Sequence, residues 1–199
     1  MKRRCLTVLI CFICIGCNQK VDHPSIQEML FEVNPDLLGE KTVLDSLGIA
    51  FHPPVAWNPV PDSLFEQFKT HIQDNADPEA SFRLSPVEIF LNPASQSMLS
   101  VSTIEVKNEK PLSQLADAIQ KQTRFDQGGR KLQRNCYIKD NIMIEQLFIQ
   151  DALRVVIKLV FQNQQNQSIE MDYTTLKTIY QKESKAIESS LGTLIYVNN

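Results

Sequence analysis

The chain has 199 residues, 43% hydrophobic and 22% charged, with 20 basic against 23 acidic side chains and a formal charge of −3. That composition supplies one core of ordinary domain size and is too apolar for a disordered chain. The acidic balance gives no electrostatic grip on a polyanion, which argues against nucleic acid as the natural partner.

The N-terminus begins with Lys2-Arg3-Arg4, continues as an apolar run from Cys5 to Ile15, and places Gly16 before Cys17. A basic start, a short apolar core and a small residue are the parts of a secretory signal, and the run is too short to span about 30 Å of hydrocarbon. Cys14-Ile15-Gly16-Cys17 resembles the lipobox of bacterial lipoproteins, with Cys14 where leucine is usual. The resemblance implies a signal peptide over 1–16, cleavage before Cys17, lipid attachment (palmitate and related acyl chains) at Cys17, a tether over 17–24 and one domain over 25–199. The protein is then expected in the bacterial cell envelope, with the membrane as a partner through its anchor. Cleavage removes Lys2, Arg3 and Arg4, leaving 17 basic against 23 acidic residues and a formal charge of −6. Cys5, Cys11 and Cys14 leave with the signal and Cys17 carries the lipid, so Cys136 has no disulfide partner within the chain. It reads as a small buried hydrophobe.

Along the domain, Ser25 with Glu28 three places later has the form of a capping box, predicting a helix through Ile26, Met29 and Leu30 that Asn34-Pro35 ends. Thr42–Leu44 and Ile49–Phe51, separated by Asp45, Ser46 and Gly48, predict a hairpin. Pro53, Pro54, Pro59 and Pro61 then surround the only tryptophan, Trp57, in a stiff corner. Asp62 offers an N-cap, and Leu64, Phe65, Phe68 and Ile72 repeat at helical spacing to about Asp74. Strands follow over Phe82–Leu91, with a phase slip at Ser85-Pro86, and over Met98–Val106, joined by an Asn92-Pro93-Ala94 turn. Pro111 opens a helix through Leu112, Leu115, Ala116 and Ile119, ended by Gly128-Gly129.

Three strands with compact turns come next, Lys131–Lys139, Ile142–Gln150 and Leu153–Gln162, and the short connections imply antiparallel neighbours. Ile142, Ile144 and Phe148 oppose Met143, Leu147 and Ile149, while Val155, Ile157, Leu159 and Phe161 oppose Val156 and Val160, so both faces require cover. Ile169–Thr174 adds a strand, and a closing helix runs from about Thr175 to Leu191 with Gly192 as its cap.

The expected fold is therefore α+β, an antiparallel β-sheet flanked by helices on both faces in an α/β/α sandwich. The order resembles the PsbP-like fold, shared by lumenal extrinsic photosystem proteins and bacterial envelope lipoproteins of the DcrB type. The resemblance rests on Phe51-His52-Pro53-Pro54 and Trp57, the strand Glu88–Asn92, the paired strands after Gly128-Gly129, and Tyr180 through Ser189-Ser190-Leu191. It implies an accessory or binding role and brings no common catalytic residue.

Chemical motifs give little. There is no G-x-S-x-G elbow and no phosphate-cradling loop, and His23, His52 and His71 lack metal-ligand spacing, so neither a cofactor nor a metal is expected. The carboxylates Glu66, Asp74, Asp77, Glu79, Glu183 and Glu188 read as solvated positions, and Arg124, Arg130, Lys131, Arg134 and Lys139 form the local basic concentration. The favoured reading is a lipid-anchored envelope module without catalytic activity, binding an envelope protein or small ligand through Trp57, Pro59 and Pro61. The alternative is an envelope hydrolase with a site assembled from distant residues.

Overall fold

The computed structural model describes residues 26–74, 80–107, 110–123 and 131–197. The core of the fold is an eight-stranded sheet ordered β1-β7-β8-β9-β10-β6-β5-β4. Its strands are β1 (Gln27–Glu28), β4 (Asn58–Pro59), β5 (Phe82–Asn92), β6 (Ser97–Val106), β7 (Lys131–Lys139), β8 (Ile142–Gln150), β9 (Arg154–Gln162) and β10 (Ser168–Leu176). A small second sheet carries β2 (Thr42–Leu44), β3 (Ile49–Phe51) and β11 (Ile195–Tyr196) in the order β11-β3-β2. Among the described residues every strand pairing is antiparallel except that of β1 with β7.

The helices are α1 (Asp62–Asp74), α2 (Leu112–Thr123) and α3 (Lys177–Gly192). Strand alternation sends one set of side chains to each face. Ile142, Ile144, Val155, Ile157, Leu159 and Phe161 meet Ile187 and Leu191 of α3 together with the small sheet. The opposite set, Leu147, Ile149 and Val160, meets Leu112, Leu115 and Ile119 of α2. The two-faced pattern of β8 and β9 is thus what places helices on both sides, as expected for the sandwich. At the other end of the sheet, α1 lies against β5.

Turn chemistry follows the local sequence closely. Asp140 and Asn141 both have positive φ (46° and 66°), the backbone of a type I′ hairpin. The β5–β6 turn is held by Asn92 Oδ1, which accepts from Ala94 N (3.0 Å) and Ser95 N (3.3 Å). The β5/β6 register shifts between Pro86 and Glu88, so the bulge absorbs the proline that would otherwise break the ladder.

Two local expectations fail. In place of the helix after Ser25, Gln27–Glu28 forms β1 beside Tyr137–Ile138, with Met29 N donating to Ile138 O at 2.9 Å. A helix of two turns is marginal on its own, whereas the edge of β7 offers unpaired backbone groups and Tyr137 offers a ring for Phe31, at 5.8 Å between centroids. Ser25 itself lies outside the described residues, as do Gly128-Gly129.

Gly192 also has another role than a cap. It belongs to α3, and the C-cap is Thr193 in the right-handed region. A Cβ on Gly192 would stand 2.6 Å from Val33 Cγ2 and 2.7 Å from Phe31 Cβ, so glycine is required there for the N-terminal strap to cross the helix. Asn34 N, donating to Ser189 Oγ at 3.1 Å, fastens the same crossing.

Candidate functional site

The proline corner is built from two sides. From the small sheet, Phe51 leads into His52, whose N–H donates to Thr193 Oγ1 (2.8 Å) and whose ring Nδ1 lies 3.0 Å from Gly39 O. Pro53 O and Leu37 O accept from Gly39 N (2.7 Å) and Val55 N (2.9 Å), so backbone bonds stitch the prolines to the strap that carries residues 37–39. Ala56 then turns with φ +66°, and Trp57 N donates to Pro54 O at 3.1 Å.

That turn drives the indole inward. Trp57 is 3% exposed and its ring lies 6.1 Å from Tyr173, inside the core shared with α3. This corrects its placement on a contact surface: the one large ring of the segment anchors the corner by its buried area. Pro59 pairs across from Phe90 on edge strand β4, where a missing N–H is tolerated, and Val60 N donates to Ile89 O at 2.9 Å. Pro61 O accepts from Leu64 N and Phe65 N, both at 2.9 Å, and so opens α1. What faces solvent is Val55 (49% exposed), Ala56, Asn58, Pro59 and Pro61.

The remaining predicted residues do not converge. Cys17 and His23 lie outside the described residues, and His71 is exposed on α1. Ser190 Oγ donates to His52 O (2.6 Å) and lies 2.9 Å from Tyr173 OH; it meets the histidine through its carbonyl, the geometry of a fastening and not of a nucleophile with its base. Glu183, expected to be solvated, accepts from Ser97 Oγ (2.5 Å) and Thr175 Oγ1 (3.0 Å), tying α3 to the sheet. Among the described residues no group of three or more His, Cys, Asp and Glu is placed to hold a metal ion, and no helix is long and apolar enough to cross a membrane.

Of the basic concentration, Arg124 and Arg130 lie outside the described residues. Arg134 is bound to Glu145 (2.9 Å) and to Asp117 of α2, and Lys139 is buried, donating to Leu194 O at 2.8 Å. Cys136 is half-buried instead of fully enclosed. Burial and then the neighbouring Glu145 carboxylate push its thiol pKa up, which makes it a poor nucleophile.

The charge centre that sequence reading missed lies on the sheet itself. Lys158 Nζ sits 2.8 Å from Glu170 Oε1 and 2.5 Å from Asp172 Oδ2, and Glu170 Oε2 is buried without a partner among the described residues. The available signal was a single charge at Lys158 between Ile157 and Leu159, answered by two acids on the next strand.

Sheet and helices together form an α/β/α sandwich with a PsbP-like fold. Among solved structures, the chain is similar to cyanobacterial PsbP (CyanoP) from Synechocystis sp. PCC 6803, at 14% identity and a TM-score of 0.53 over 84% of this chain and 97% of that one. At that identity the likeness is one of fold. No family model and no curated protein matches the sequence.

Proposed function

We propose that this chain is a lipid-anchored accessory protein of the bacterial cell envelope, held to the membrane through Cys17, that binds a partner protein without turning it over. The observation that carries the reading is the solvent-facing corner Val55–Pro61, whose backbone is fixed to the strap, to β5 and to α1 while Trp57 roots it in the core. A corner already ordered before contact loses little entropy on binding, which is the advantage of prolines in a recognition loop.

Photo-crosslinking from Val55, Asn58 and Pro59 in intact cells is expected to capture one envelope protein. Val55→Asp with Pro59→Ala should abolish capture and leave the melting temperature unchanged, whereas Trp57→Ala should lower stability by about 3–5 kcal/mol. Cys17→Ser should release the chain from the membrane or leave the signal uncut. Capture that survives the corner changes, or turnover by the purified protein that one histidine or carboxylate substitution removes, overturns the binding reading. Normal processing and membrane retention of Cys17→Ser overturn the anchor separately.

A further inference from the structure

A cavity of about 590 Å³ lies on the flank of α2, away from the proline corner. Gln114, Asp117, Ala118 and Lys121 line it at the i, i+3, i+4, i+7 spacing that puts residues on one stripe of a helix, and the start of β5 forms the facing wall. The lining has two characters. Phe82 and Ala118 form an apolar floor continuous with the core cluster under α2. Lys110, just before the helix, and Lys121, near its end, each bring an ammonium-bearing side chain to the lining.

Neither lysine forms an ion pair among the described residues, and the acid of the lining, Asp117, is taken by Arg134 reaching over from β7. A chain of net negative charge thus carries a concave site with a lysine at each end, and with Phe82 and Ala118 set among the polar Ser81, Gln114 and Gln122 and the Arg134-paired Asp117 between them. Concavity matters because the flat surface of a bilayer cannot enter such a site, whereas a free molecule can.

We propose that this cavity binds a free amphipathic carboxylate, its head paired to Lys110 or Lys121 and its apolar body laid on Phe82 and Ala118. The site is distinct from the proline corner and does not depend on the lipid anchor. Charge-assisted pairing selects the acid head, and the floor selects a body of several carbons over a small inorganic anion.

Competitive amine acylation of the full chain, read residue by residue by mass spectrometry, tests this with octanoate as the probe. Octanoate should slow acylation of Lys110 and Lys121 in a saturable manner while Lys69, Lys177 and Lys185 react as before; octanol and acetate should not. Ala118→Trp, which fills the floor, should remove the protection at both lysines, and Lys121→Gln should leave protection at Lys110 in place, with thermal melts confirming that both variants fold. Equal protection by octanol, uniform slowing at every lysine, protection undiminished in Ala118→Trp, or protection by phosphatidylglycerol vesicles without protection by octanoate would overturn the proposal. None of these outcomes bears on capture at the corner.

Discussion

Replacing Lys158 by methionine keeps the aliphatic stem and deletes the ammonium that two carboxylates share. Burial works against that ammonium, yet Asp172 and Glu170 hold its pKa above the ordinary lysine value. Burial raises the pKa of Glu170, and Lys158 opposes the rise. Removing one partner of a buried ion pair leaves uncompensated charge, so Lys158→Met should lose about 3–5 kcal/mol at pH 7. For a domain of this size that corresponds to a melting temperature lower by roughly 6–20 °C. The pH dependence has a definite sign. In the variant nothing offsets the burial of Glu170, so its folded-state pKa rises further above the unfolded value of about 4.3. The destabilisation is then full above the folded pKa and fades as pH falls towards the unfolded one, where both states hold the proton. Urea denaturation of wild type and variant at pH 7 and pH 4 should therefore show the smaller gap at pH 4. An equal gap at both pH values, or no loss at pH 7, would refute the electrostatic reasoning and leave only packing.

Gly192→Ala should destabilise the fold by about 1–3 kcal/mol, since its Cβ meets Phe31 and Val33; the same variant should speed amide exchange in the strap, measured by hydrogen–deuterium exchange. Ser190→Ala should lose about 1–3 kcal/mol in denaturant titration, because Tyr173 OH and His52 O are both left without it in a buried place. Cys136 should react with iodoacetamide more slowly than a cysteine in the unfolded chain, and Glu145→Gln should speed the reaction by removing the carboxylate that raises the thiol pKa. Peptide-resolved mass spectrometry separates its signal from that of the other cysteines, and an unchanged rate would count against Glu145 as the cause.

Much of this fold is local in origin. The opposed apolar sets of β8 and β9, the Asp140-Asn141 turn and the bulge at Pro86 are each set by residues adjacent in the chain, and the two-faced strands alone require helices above and below. Among the described residues Cys136 is the single cysteine, so no disulfide joins two of them and their stability rests on the core. What the chain could not reveal locally depends on partners distant in sequence. Gln27–Glu28 became a strand because the edge of β7, more than a hundred residues later, was open to it. Trp57 turned inward because Tyr173 waits beneath the corner, and Gly192 serves the crossing of a strap that its own neighbours do not announce. The cavity beside α2 has the same character: only tertiary packing brings Phe82, at the start of β5, to the same cavity as Lys110 and Lys121, and only it sets Arg134 of β7 against Asp117. Backbone pattern is written in short-range periodicity, whereas burial and charge balance are decided by which elements meet, and that meeting is a property of the whole fold.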